Sequence, residues 1–122
     1  MAERPLHFST ITEVAGLIKS KQLSPVEIAT AVLQRIDQLD RRFKSYATVI
    51  AEAARMAAKK AEAEITSGTY HGPLHGIPVA VKDLCFTKGV RTMGGTKALA
   101  NHIPHFDATV VARLESAGAV LL

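Results

Sequence analysis

The sequence predicts an α/β fold in which N-terminal helices pack on a partial, mixed β-sheet. Three observations predict it. Two capping boxes lie near the start, each followed by apolar residues at helical spacing. An alanine-rich, charged stretch from Ala51 to Ser67 is a strong helix former. Two short apolar runs, Ile77 to Val81 and Ala119 to Leu122, have the composition of buried strands.

The elements follow in order. Thr10-Ile11-Thr12-Glu13 is the first capping box, and Ile11, Val14, Ala15 and Ile18 form an apolar stripe that should end near Gln22. Ser24-Pro25-Val26-Glu27 is the second, improved by proline at the first helical position. Ala29, Val32, Leu33, Ile36 and Leu39 carry its apolar face, with Gln34, Arg35, Gln38 and Arg42 opposite. Ser45 to Ile50 has the β-branched and aromatic content of a short strand. In the third helix Ala54, Ala57, Ala58, Ala61 and Ile65 share one face, and Gly68 is the stop. Arg55, Lys59 and Lys60 read as a solvated face balanced by Glu52, Glu62 and Glu64. Asp107 is placed to cap a helix over Ala108 to Ala117, with Val110, Val111, Leu114 and Ala117 inward and Gly118 closing it.

Bulk properties narrow the function classes. The 122 residues suit one modest domain, and 48% hydrophobic with 21% charged content is globular composition. A net charge of +4 spread along the chain, with 5% aromatic residues, argues against a nucleic-acid surface. The single cysteine, Cys85, excludes an internal disulfide and fits a reducing cytoplasm. No apolar run is long enough to span a bilayer, and Met1 to Pro5 lack a signal-peptide pattern. His71 and His75 lie four apart, but Gly72, Pro73 and Gly76 exclude a helix there, so no metal site is expected. Gly89 to Thr96 approaches a phosphate-binding loop but has Gly95 where the motif needs lysine.

The most informative stretch is Gly72-Pro73-Leu74-His75-Gly76-Ile77-Pro78-Val79-Ala80-Val81-Lys82-Asp83. A glycine- and proline-rich turn leads into an apolar run that ends in a lysine and an aspartate. Apolar runs usually end in a residue that faces water, so these residues alone leave Lys82 as an ordinary strand end.

The wider string resembles the amidase signature family. Pro73 to Asp83, Thr87-Lys88-Gly89-Val90-Arg91-Thr92, Gly95-Thr96-Lys97-Ala98-Leu99, Asp107-Ala108-Thr109-Val110-Val111 and Leu114 to Leu121 match it in order and spacing. Upstream, Leu23-Ser24-Pro25-Val26-Glu27 and Gln34-Arg35-Ile36 resemble its N-terminal helix. The resemblance covers almost the whole chain but not the whole family domain, which is longer. It implies that residues 1–122 are the N-terminal portion of one domain, apparently truncated, since the last strand ends without a turn or cap. It also implies a hydrolase acting on carboxamides through a serine nucleophile, a second serine in a cis peptide, and a lysine base. Lys82 is the matching lysine, and burial on a strand would favour the neutral form a base requires. Asp83 and Thr96 match residues that support the site, with Thr96 replacing the usual serine.

The two serines are not here. Ser9, Ser20, Ser24, Ser45 and Ser67 precede Lys82, and Ser116 falls in a predicted helix. The chain alone is therefore expected to be inactive, because such groups act as a unit. Leu84 stands where the amidotransferase branch of the family, which acts on charged tRNA, often has asparagine; that favours an amidase over this alternative. A cysteine hydrolase using Cys85 competes within enzymes. A non-catalytic remnant that binds protein, or itself, through exposed strand edges competes outside them. The expected ligand is a small-molecule amide, with no metal, organic cofactor or membrane.

Overall fold

The computed structural model of the chain describes residues 4–122. Met1 to Glu3, part of the segment read as lacking a leader pattern, lie outside the described residues. A short 3-10 turn at Leu6–Phe8 precedes four α-helices: α1 (Ile11–Lys19), α2 (Pro25–Phe43), α3 (Ala51–Thr66) and α4 (Thr109–Ser116). Two strands, β1 (Pro78–Val79) and β2 (Val120–Leu121), form a parallel pair with Pro78 opposite Val120 and Val79 opposite Leu121.

The first two helices begin where their sequence says. Thr10 accepts from the Glu13 backbone N–H at 3.2 Å, and the Glu13 carboxylate accepts from the Thr10 N–H at 2.6 Å. That backbone bond, the Thr10 hydroxyl and the nearby Arg4 guanidinium hold Glu13 below the usual carboxylate range. A carboxylate stabilised this way contributes above its unfolded pKa, and the contribution is lost as pH falls through the lowered folded value.

Ser24 caps α2 by accepting from Val26 N–H at 2.9 Å, and its hydroxyl donates to Glu62 on α3. It thus ties one helix to the flank of the next. We expect Ser24→Ala to cost about 2–4 kcal/mol, the sum of a lost cap and a lost charge-assisted bond. Thr10→Ala, whose cap bonds are local to α1, should cost only about 1 kcal/mol. Thermal melting of the two variants side by side checks the order.

Two cores follow from these faces. Val14, Ala15 and Ile18 of α1 meet Leu23, Ile28, Ile65 and Ile77. Ala29 and Leu33 of α2 meet Ala54 and Ala58 of α3 and Val120 of β2. Alanine on α3 puts only a methyl group between the backbones, so helix and strand approach closely. Ala54, Ala58 and Val120 are fully buried.

Four expectations are corrected. Ser45 to Ile50 is not a strand. The Asp40 carboxylate accepts from Ser45 N–H at 2.7 Å and Tyr46 N–H at 3.2 Å, and Arg91 donates to the Ala47 carbonyl at 3.1 Å. Those backbone groups are taken by side chains, which leaves them unavailable to a ladder. The run Ile77 to Val81 pairs only over Pro78–Val79. Asp107 does not cap α4: its carboxylate accepts from Lys88 N–H at 2.7 Å, and the helix starts after Ala108 without a side-chain cap. Of the four residues expected inward on α4, Val111 is fully buried while Val110 is 49% exposed.

Candidate functional site

The site grows out of β1. Val120 N–H donates to Ile77 O at 2.8 Å and Leu122 N–H to Val79 O at 3.1 Å, which fixes the strand against β2. The chain then leaves the sheet through Ala80 and Val81 and reaches Lys82, whose carbonyl accepts from Cys85 N–H at 2.9 Å to close a turn. Lys82 is exposed. This corrects the expectation of a lysine carried on a buried strand. The strand stops short of it, and residues 4–122 do not supply the burial that a neutral lysine needs.

Asp83 organises the approach to Lys82. Its carboxylate accepts from Met93 N–H at 3.1 Å and its carbonyl from Gly94 N–H at 2.7 Å. These two bonds fasten the glycine-containing loop beside the lysine. Lys82, Asp83 and Cys85 line one cleft of about 600 Å³, with Gly94 and Gly95 on one side and Tyr46 to Thr48 on another. Leu121 and Leu122 also line it.

Thr96 is placed differently from its two companions. Its hydroxyl accepts from Ala98 N–H at 3.3 Å and caps the 3-10 turn Lys97–Leu99. It is exposed and does not line the cleft. Cys85 is half-buried at the turn after Lys82.

Two contributors were given no role from the sequence, although Arg91 lies in one of the matched segments. Arg91 spans the cleft wall, donating to Ala47 O at 3.1 Å and to Ala100 O at 3.4 Å, and its bond to Ala47 joins loops 44 residues apart. The Thr48 hydroxyl is buried in the same wall with no hydrogen-bond partner among the described residues. A helix-terminal aspartate such as Asp40 was the one sequence clue that this segment would be pinned as a loop. Tyr46, beside it, has its phenol pushed up by burial and by the Asp40 carboxylate.

A second polar cluster lies behind the turn that leads into β1. His75 is buried, and Glu64 of α3 joins it and His71, although the sequence showed no carboxylate at ligand spacing. The donor atoms of the three lie within 4.8 Å of one another. His75 Nδ1 accepts from the His71 N–H at 3.1 Å, so its ring proton is on Nε2, which donates to Glu64 at 2.9 Å. A metal on Nε2 would displace that proton while Nδ1 still faced an N–H, and the ring could not be satisfied as a neutral ligand. The cluster acts as a clamp that fastens the turn before β1 to α3. It lies apart from the residues lining the Lys82 cleft.

Another groove, apolar and about 370 Å³ in volume, runs between α1, α2 and Ile77. Val32, Ile36, Leu39 and Phe43 line it. It holds none of the candidate catalytic residues. Among the described residues, no helix is long and apolar enough to cross a membrane.

Comparison with known proteins agrees with this architecture. The family model described as Amidase matches residues 27–122. A Mycobacterium tuberculosis protein named as an amidase, AmiD, is 49% identical over 112 residues, covering 92% of this chain and 24% of AmiD. The A subunit of glutamyl-tRNA(Gln) amidotransferase from Geobacter metallireducens is 45% identical over 93% of this chain and 23% of its own length. The structure of native peptide amidase from Stenotrophomonas maltophilia superposes with a TM-score of 0.90 at 32% identity, over 97% of this chain and 24% of that one. The chain thus spans about a quarter of the length of the relatives it matches. With the family model covering residues 27–122 and the fold shared with solved family enzymes, the chain belongs to the amidase family.

Proposed function

We propose that this chain supplies the base and one wall of the active site of an amidase that converts a carboxamide to a carboxylic acid and ammonia or an amine. The observation that carries the reading is the placement of Lys82. It stands beyond the end of β1 in an open cleft, and the sequence resemblance makes it the counterpart of the family's lysine. In this mechanism neutral Lys82 takes a proton from a bridging serine, which takes one from the nucleophilic serine. The serine attacks the amide carbon, the C–N bond breaks, and the proton returns to the leaving nitrogen. Water then releases the acid and restores the serine. Both serines must come from beyond these 122 residues. Asp83 serves by holding the Met93–Gly94 backbone beside the lysine, and Thr96 supports the adjoining loop through its 3-10 turn. Such chemistry requires no metal or organic cofactor, and a reducing cytoplasm suits the lone Cys85.

The test uses an amidase built on this chain, either its own longer form or a fusion to the part of AmiD outside the matched quarter. Ammonia or amine release from a panel of carboxamides is expected. Failure to hydrolyse any of them would overturn the reading. The 122 residues alone should release none, because the lysine has nothing to activate.

Two alternatives separate in the same assay. The amidotransferase reading is favoured by relatives at 41% and 45% identity that carry that name. It predicts turnover that depends on further protein components and tRNA. The cysteine reading predicts that alkylating Cys85 removes all activity. We expect thiol alkylation to leave most of the turnover, and Cys85→Ser to behave as wild type, because serine is the nucleophile.

A further inference from the structure

The Lys82 cleft carries more positive charge than amide hydrolysis uses. Its charged side chains are Lys44, Lys82, Asp83 and Arg91. The one carboxylate among them, Asp83, accepts from Met93 N–H at 3.1 Å and holds the adjoining loop. Asp40 is engaged in the same way: it accepts from Ser45 and Tyr46 N–H and lines other grooves. A base must be neutral to accept a proton, so Lys82 is not the lasting cation of the site. Lys44 and Arg91 remain, two cationic side chains with no part in the chemistry.

Arg91 is held as an anion-binding arginine needs to be held. It donates through Nη2 to Ala47 O at 3.1 Å and through Nη1 to Ala100 O at 3.4 Å. Both acceptors are neutral carbonyls, so these bonds orient the guanidinium without balancing its charge. They take two of its five N–H donors. The residue is exposed, which leaves the other donors within reach of a ligand in the cleft. An arginine fixed in advance loses little freedom on binding, and its planar fork matches the two oxygens of a carboxylate. Lys44 ends α2 on the same loop as Ala47, the residue that anchors Arg91. An uncharged amide would leave both cations without a partner. A cleft of about 600 Å³ admits a small substrate that reaches from Lys82 to this basic wall.

We propose that Arg91, assisted by Lys44, is the specificity-determining end of the Lys82 cleft, and that the substrate is a carboxamide bearing a second, ionised carboxylate, such as the monoamide of a dicarboxylic acid. The amide lies at Lys82 and the carboxylate on Arg91. The substrate class rests on the amide-hydrolysis reading above; the anion site rests on the cleft alone.

The experiment uses an amidase built on this chain. Ammonia release is measured from a homologous series of dicarboxylic acid monoamides and from uncharged straight-chain amides of matched length. The anionic series should be preferred in kcat/KM by about tenfold or more, the worth of one charge-assisted pair. Arg91→Gln should remove that preference through KM, while kcat on the uncharged amides stays near wild type. Arg91→Lys, which keeps the charge but not the fork, should restore part of it. Calorimetry with the free dicarboxylates should show binding to wild type and about tenfold weaker binding to Arg91→Gln. Equal use of both series, an anionic preference that survives Arg91→Gln, or a loss in Arg91→Gln that falls equally on charged and uncharged amides would each overturn the proposal. So would dicarboxylates that fail to bind. Dicarboxylate binding that depends on Arg91, in a protein that hydrolyses no amide, upholds the anion site and counts against the hydrolase reading.

Discussion

Gly118→Ala is expected to destabilise the protein by about 2–5 kcal/mol, from left-handed backbone strain together with overpacking. Gly118 has φ +79, and a Cβ built there would lie 3.0 Å from Cγ of His75 and closer still to Cδ2. The ring has no freedom to yield. It is 1% exposed, its Nδ1 is held by the His71 N–H, and its Nε2 is held by Glu64. The Gly118 carbonyl also accepts from Gly76 N–H at 2.8 Å, so moving Gly118 pulls on the turn that feeds β1. Gly89→Ala is the matched control: its φ is +74, but a Cβ there meets nothing within 4 Å. It should lose only the backbone component, about 1–2 kcal/mol. Thermal melting of both variants in an amidase built on this chain separates strain from clash. Equal losses would show that the packing of His75 against Gly118 contributes nothing.

The clamp around His75 was only half legible in the sequence. The two histidines were visible, and Gly72, Pro73 and Gly76 correctly excluded a helix there. Glu64 sits on another element, and no local pattern joins it to His75. The same division runs through the fold. The starts of α1 and α2 could be read residue by residue, because a capping box and its apolar stripe are local signals. The extent of α3 could be read from its alanine-rich composition and the Gly68 stop, which are also local signals. Ser45 to Ile50 could not, because its conformation is decided by Asp40 and by an arginine 44 residues away. Asp107 has the composition of a helix cap, yet its carboxylate is engaged by the Lys88 N–H. Strand length was overestimated because β1 and β2 overlap for only two residues each, a tertiary fact.

The site shows the same limits. Lys82 and Asp83 were singled out only because the family's motif runs through them; composition alone left a lysine at the end of an apolar run. The structure brings both into one cleft and leaves Thr96 outside its lining. The residues alone suggested a water-facing Lys82 at the end of an apolar run, and the structure agrees; the burial expected from the resemblance is what it corrects. The apolar run from Ile77 to Val81 suggests a buried strand, but only Pro78–Val79 is paired, and Lys82 lies beyond the end of that pairing. A base needs its ammonium disfavoured, and desolvation is the ordinary means. Residues 4–122 leave Lys82 exposed and do not themselves supply that desolvation.

The most direct measurement is amide hydrolysis by wild type and Lys82→Ala, side by side, in an amidase built on this chain. Lys82 is exposed among the described residues, so its removal should leave the fold of residues 4–122 intact. The rate should fall by at least about 10³-fold, since a general base is worth roughly 10²–10⁴-fold and the serines depend on it as a unit. Lys82→Arg should be equally inactive, because a guanidinium stays protonated and cannot accept the proton. Loss of turnover in both variants, with folding intact, is the result predicted. Turnover near wild type in Lys82→Ala would contradict the assignment of Lys82 as the base.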